Sequence, residues 1–319
     1  MENEGIKVSK YCIYTDWLPN YPANEHWEFV RGLARNGWEP VKLSELCLDT
    51  FKTGNNLIVC VTYDDLDITQ LKVINSNNII IYRIDDIFPF RLARQQCIRH
   101  ADYVCGPYIY LKIEQVYSDF NRDKAFWIPY SVPDANIPEE PKYNSSPWEK
   151  ILVSGRLGPM YPFRNMMVKI SEMSKAIDYL EHCGGYIGED GFTHEITKDK
   201  YIEYLSKHMV CFTDGLVYQY VPLKVFEITA AGALLLVDER IKAPLGALGF
   251  EDRVNCVFCS PDNVLDVVSW CLDKGNRHEV DKIRKEGQKL TYERHLTSQR
   301  IKLFEQELMR KLQARFFGL

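Results

Sequence analysis

The sequence predicts an α/β protein of two doubly wound domains, and three observations carry that prediction. Apolar runs of strand length alternate with helical patterns in both halves of the chain, the order that builds mostly parallel sheets. Several of these runs, Ala233 to Val237 most clearly, lack in–out alternation and suit strands buried on both faces. Between the halves lies a polar stretch, Pro133 to Pro147, holding four prolines. With 319 residues the chain is long enough for two separate cores.

In the first half, Lys7 to Thr15 reads as the opening strand. Glu25 to Asn36 reads as a helix ended by Gly37. Asn56 to Thr62 and Asn78 to Ile84 are β-branched strand runs, Arg91 to His100 fits a helix, and Tyr103–Gly106 and Ala125–Pro129 fit further strands. The expected divisions are 1–140, 148–290 and a closing helical segment, 291–319. The helical stretch from Glu279 to Gln313 breaks near Tyr292 to Thr297.

The second half opens with Lys150-Ile-Leu-Val-Ser-Gly-Arg156, a strand ending in a turn. Tyr161-Pro-Phe-Arg164 then leads into a helix from about Asn165. Backbone N–H groups and two arginines at a helix N-terminus suit a phosphate. Ile177 to His182 is a strand candidate, Tyr201 to Lys207 a helix, and Met209 to Thr213 another strand that leads into Asp214 to Tyr220.

The segment Lys224-Val-Phe-Glu-Ile-Thr-Ala-Ala-Gly-Ala-Leu-Leu-Leu-Val-Asp238 is the most informative part of the chain. It predicts a short helix from Leu223, closed at Gly232 where a positive φ is cheap, and then a buried strand. Lys224 and Glu227, three positions apart, share a helix face. That face suits a ligand with a diphosphate at one end and a ribose diol at the other. An ordinary surface ion pair is the plain alternative.

This segment resembles the nucleotide-sugar signature of GT-B-fold glycosyltransferases. More closely, it resembles the bacterial and viral members related to spore-coat maturation proteins, in which a basic residue three positions before the glutamate is usual. The likeness covers residues 148–240 well and the N-terminal half loosely. It implies a GT-B-like architecture: two Rossmann-like domains facing a central cleft, with the C-terminal helix crossing back to the first. It implies a transferase moving a sugar from a nucleotide diphosphate donor, bound by the second half, to a glycan or sugar acceptor bound by the first. Glu227 would then hold the ribose hydroxyls, and Arg156 and Lys224 the diphosphate, with Arg164 as a further candidate. No metal or other cofactor is expected, and the likeness favours retention at the anomeric carbon. Many retaining GT-B enzymes carry a second glutamate eight positions earlier; here that position is Gln219, which cannot act as a carboxylate. Tyr218, Gln219 and Tyr220 are expected to line the donor pocket.

In the first half, Asp16 and Asp85 (followed by Asp86) come after strands, where an acceptor-binding or proton-transferring carboxylate would sit. Solvated loop carboxylates are the alternative. His26 at a helix start is an open candidate, and His100 reads as a packed helix-end residue. A rival reading takes Asp65 and Asp67 as the paired aspartates of a metal-dependent GT-A transferase. A sugar-nucleotide epimerase of the same fold and a catalytically silent sugar-nucleotide-binding protein also stay open.

A net charge of −5 and a pI near 5.9 speak against a nucleic-acid partner. The sequence starts without a basic, then apolar, leader and contains no run of the roughly 20 apolar residues that a transmembrane helix needs. Ten scattered cysteines suit reduced thiols and a cytoplasmic location. Cys256-Val-Phe-Cys259 lacks the further ligands that a zinc site requires. Hydrolase nucleophile elbows and Gly-rich nucleotide loops are absent.

Overall fold

The computed structural model describes residues 8–21, 24–62, 66–85, 92–108, 110–117, 120–184 and 194–317. The chain divides into two compact units. One comprises residues 1–129 with 300–319, and the other residues 130–299.

The strands of the first unit are β1 (Val8–Tyr14), β2 (Glu39–Lys42), β3 (Asn55–Val61), β4 (Ile79–Arg83), β5 (Tyr103–Gly106) and β6 (Ala125–Trp127). They form one parallel sheet in the order β2-β1-β3-β4-β5-β6. Helices α1 (Glu25–Arg35), α2 (Thr69–Ile74), α3 (Leu92–His100) and α4 (Tyr110–Val116) fall between them. The four-residue β2 is a strand that sequence reading does not anticipate. It lies at the sheet edge, no residue of it is fully buried, and it shows no apolar run.

The second unit contains β7 (Trp148–Ser154), β8 (Ile177–Leu180), β9 (His208–Thr213), β10 (Leu234–Asp238) and β11 (Val257–Cys259), all parallel, in the order β11-β10-β9-β7-β8. Its helices are α5 (Pro162–Ser171), α6 (Lys198–Ser206), α7 (Leu223–Ala230), α8 (Lys242–Ala247), α9 (Val264–Leu272) and α10 (Arg277–Arg294). Strand β10 shows why its run lacks alternation. Leu235 and Val237 enter the core beneath α7, while Leu234 and Leu236 enter the opposite core with Ile151, Val153 and Phe212. Both faces are buried, so both take apolar side chains.

The last helix, α11 (Thr297–Phe317), begins in the second unit and from Arg300 onward belongs to the first. Ile301, Phe304, Leu308 and Leu312 enter the first core beside Phe29, Leu33 and Phe126. Glu305 accepts hydrogen bonds from Lys10 Nζ at 3.3 Å and Trp38 Nε1 at 3.1 Å. The expected return of the C-terminal helix is therefore observed, with the break between α10 and α11 at residues 295–296.

The proline-rich stretch is tied to α10. Arg284 donates to Asn144 O at 3.0 Å, Gln288 to Lys142 O at 3.1 Å, and Tyr292 to Pro138 O at 3.3 Å. Arg284 and Gln288 also reach Gly232 O and Ala230 O, at 2.9 and 3.0 Å, which fixes the C-terminal end of α7. Gly232 has φ +71°, as its place after α7 requires.

Candidate functional site

In the second sheet the chain leaves β7 toward β8 on one side and then crosses back to β9 on the other. The carboxyl ends of β7 and β9 therefore flank a topological switch point, where α/β sheets open a crevice. The residues placed there are Gly155 and Arg156 after β7 and Asp214 after β9.

Gly155 has φ +109°, a conformation that other residues adopt only under strain. It also leaves space: a Cβ at this position would stand 2.9 Å from Lys224 Cε and 3.1 Å from Arg164 Nη1. Arg164 bridges the switch point. Its Nη2 donates to Asp214 Oδ1 at 2.6 Å, its backbone N–H to Asp214 Oδ2 at 3.2 Å, and its Nη1 to Arg156 O at 3.0 Å. Its guanidinium lies 4.2 Å from the Tyr161 ring centroid. Asp214 is 0% exposed, so this is a buried, multiply bonded ion pair. Arg164 thus braces the turn that carries Arg156, whose own side chain is exposed. One amide of the α5 N-terminus, expected to face a phosphate, already serves Asp214.

Helix α7 brings Lys224 and Glu227 to the same place, both half-buried. Neither side chain makes an ion pair or hydrogen bond with any described residue, including each other. Burial raises the Glu227 carboxyl to about 7, opposed by Lys224. Burial also holds Lys224 below its ordinary value, with Glu227 opposing and Arg164 reinforcing. Half-buried charges without partners are costly, and such sites are candidates for ligand contact.

Three residues join this group that sequence reasoning does not single out. Tyr201 on α6 shares a hydrogen bond of 2.6 Å with Ser154 Oγ, and its ring centroid lies 5.4 Å from Lys224 Nζ. Burial and the nearby Glu227 push its phenol well up. His182, just after β8, accepts the Gly184 N–H on Nδ1 at 3.0 Å. Burial, then Lys224, Arg156 and Arg164, lower His182 to about 3, so it stays neutral among three cations. Asp214 is the third. His182 and Asp214 follow strands of this sheet, the one signal available in the sequence, whereas Tyr201 lies within α6.

Tyr218, Gln219 and Tyr220 are half-buried in the loop after β9. Leu216 and Gln219 hold positive φ values of 55° and 54° without being glycine, a local strain that the loop fixes with bonds from Val217 N to Met160 O (3.1 Å) and Tyr220 N to Gly215 O (3.2 Å). Tyr220 packs against Tyr130, ring centroids 6.2 Å apart.

In the first unit, Asp16 is exposed and engaged locally, accepting from Ser44 Oγ at 2.5 Å and pairing with Lys42 at 3.4 Å. The Ser44 bond holds its carboxyl below the ordinary range. Asp85 heads a chain of charges. Its Oδ1 is 2.9 Å from His26 Nε2, His26 Nδ1 is 3.2 Å from Glu25 Oε2, and Glu25 Oε1 is 2.9 Å from Arg83. Burial pulls His26 down, but Asp85 and Glu25 outweigh it and hold the imidazole above its usual value. His26 is thus part of a buried network. His100, read as packed, is instead exposed at the end of α3.

Asp65 and Asp86 lie outside the described residues. Asp67 turns its Oδ1 to the backbone N–H and hydroxyl of Thr69, at 3.0 and 2.6 Å, as a loop cap does. Cys256 and Cys259 are buried, and burial raises both thiols. Among the described residues no group of three or more His, Cys, Asp or Glu side chains is placed to hold a metal ion, and no helix is long and apolar enough to cross a membrane.

Residues 169–306 match a family model described as glycosyl transferase-like. Curated proteins give no significant match. Among solved structures, HepE of Anabaena, in complex with UDP-glucose, superposes with a TM-score of 0.63 at 11% identity, covering 94% of this chain and 99% of HepE. Sucrose-phosphate synthase of Thermosynechococcus elongatus gives 0.62 at 11% identity, covering 96% and 100%. A TarM variant of S. aureus, in complex with fondaparinux, α-GlcNAc-glycerol and UDP, gives 0.52 at 13% identity, covering 79% and 55%. The fold is therefore GT-B, as the resemblance in residues 148–240 implies, and a one-domain GT-A reading has no place in it.

Proposed function

We propose that this chain is a glycosyltransferase that moves a sugar from a nucleotide diphosphate donor to a hydroxyl of a sugar or glycan. The observation that carries the reading is the meeting of Arg156, Lys224 and the Arg164-braced turn with Glu227, which no described residue pairs with, at the switch point of the second sheet. Two cations suit a diphosphate, and a half-buried carboxylate on the same helix face suits the paired hydroxyls of a ribose. The family match over 169–306 spans α7, and HepE is a UDP-glucose complex.

In this reading Arg156 and Lys224 stabilise the charge that builds on the departing diphosphate, which makes a divalent ion dispensable. Arg164 acts through the backbone of Arg156, and His182 adds an uncharged polar group. Tyr218, Gln219 and Tyr220 border the sugar, where Gln219 supplies an amide in place of a carboxylate. The acceptor falls to the first unit, with Asp85 as the carboxylate that the His26 network orients. Retention at the anomeric carbon is the outcome the resemblance favours.

The test is a thermal-shift series with UDP, GDP, ADP and UDP-glucose, each with and without EDTA. A ligand at a hundred times its Kd stabilises the native state by about 2.7 kcal/mol. Stabilisation by one nucleotide family that persists in EDTA is the expected result. Loss of the shift in EDTA overturns the metal-free mechanism, and no shift with any nucleotide overturns the donor site. Binding without sugar transfer across a broad acceptor panel would favour a silent sugar-nucleotide-binding protein, which the amide at Gln219 keeps open.

A further inference from the structure

We propose that Tyr201 is a positioning residue that holds Lys224 away from Glu227, so that both side chains are presented to the donor. The inference rests on the donor-site reading above.

Oppositely charged residues three apart on a helix close readily, and this protein shows it. Arg31–Glu28 on α1, Arg284–Asp281 on α10 and Arg310–Glu307 on α11 pair at 2.6, 2.7 and 2.8 Å. Lys224 and Glu227 have the same spacing on α7, are half-buried where attraction is stronger than in water, and do not pair within 4.0 Å. In those three pairs the acid precedes the base, whereas here the base comes first. That order weakens such a pair without forbidding it.

Tyr201 supplies what else keeps the pair open. Its ring attracts the ammonium, with Nζ 5.4 Å from the centroid, and its hydroxyl is anchored to Ser154 at 2.6 Å. On the other side Gly155 leaves the space that Lys224 occupies: Nζ would be 3.3 Å from a Cβ placed there. The lysine is therefore drawn toward the turn of Gly155 and Arg156. The groups that act on Lys224 are Glu227 on its own helix, Arg164 from α5, Cys183 from the loop after β8 and Asp214 after β9. Those that act on Glu227 are Lys224 and, across from α6, Tyr201.

The decisive measurement is the titration of the Glu227 carboxyl by carbon-detected NMR in the ligand-free protein, assigned by its loss in Glu227→Gln. Three forms are compared: wild type, Tyr201→Leu and the conservative Tyr201→Phe. Losing the ring frees Lys224 to close on Glu227, so the Tyr201→Leu midpoint falls by a unit or more. Tyr201→Phe, which keeps the ring, stays with the wild type. UDP affinity then drops about tenfold in Tyr201→Leu and is largely restored in Tyr201→Phe. A midpoint unmoved in Tyr201→Leu overturns the proposal and leaves residue order as the reason the pair stays open. Should Tyr201→Leu not fold, Tyr201→Met removes the ring with an unbranched, adaptable side chain and is read in the same way. If the midpoint moves while the wild type binds no UDP, the positioning role stands and the UDP-donor reading falls.

Discussion

Lys224 lies where a side chain on Gly155 would have to be. A Cβ on Gly155 would stand 2.9 Å from Lys224 Cε, and the residue already holds φ +109°. Gly155→Ala therefore meets two obstacles, backbone strain and a displaced lysine. The strain is worth about 1–3 kcal/mol. Displacement of Lys224 and of Arg164 Nη1, 3.1 Å away, disturbs both sides of the cation cluster. The expected outcome is a lower Tm together with a rise of about tenfold or more in donor KM. A variant that loses stability alone would show that the lysine does not touch the donor.

Glu227 is expected to cost the free protein stability while serving the ligand. Burial raises its carboxyl from 4.5 to about 7. A carboxyl raised in the folded state binds more protons there than in the unfolded chain, so stability falls as pH rises from about 4.5 to about 7 and stays reduced above that. A shift of this size corresponds to at most about 3 kcal/mol. Glu227→Gln should then raise Tm at pH 8 and leave it nearly unchanged at pH 4.5, while donor KM rises strongly at pH 8 and much less at pH 4.5, where the wild-type carboxyl is itself protonated. Equal Tm changes at the two pH values would show that burial does not perturb this carboxyl.

How much of this was legible in the sequence depends on how far apart the partners lie. The strand β10, the helix α7 and the residues Lys224, Glu227 and Gly232 are local, and their spacing or apolar run survives in one segment. The strand β2 has four residues at a sheet edge, one of them proline, so it offers no run to detect. The Arg164–Asp214 pair joins residues 50 positions apart, and the His26 network reaches from α1 to the end of β4. Such partners are set by strand order, and strand order is not written in local periodicity. Tyr201 reads as one more half-buried residue of an amphipathic helix until α6 is seen against α7.

The two arginines of the candidate site should separate on mutation. Arg164 is buried and bonded to Asp214 twice, whereas the Arg156 side chain is exposed. Removing one partner of a buried pair strands the other charge and costs about 3–5 kcal/mol. Arg164→Ala should therefore lower the urea midpoint strongly, and donor binding fails with the fold. Arg156→Ala should leave the midpoint nearly unchanged and raise donor KM. If Arg156→Ala binds donor normally, the diphosphate contacts lie elsewhere.

His26 gives the first unit its own pH dependence. It stands between Asp85 at 2.9 Å and Glu25 at 3.2 Å, with Arg83 and the buried Arg300 as the cations that act on Glu25. Its folded value is raised above the ordinary 6.5, because the two carboxylates outweigh burial. The imidazolium therefore contributes its full stability below pH 6.5 and loses it as pH rises through the folded value. His26→Ala leaves the buried Glu25 and the partly buried Asp85 short of a cation, a loss of about 3–5 kcal/mol at low pH. Urea unfolding at pH 5.5 should show a wide gap between wild type and variant, and at pH 9 a narrower one. Arg300 stays charged across this range, since burial lowers it only to about 10. A gap that does not narrow would mean that His26 is held neutral and serves the network only as a hydrogen-bonding spacer.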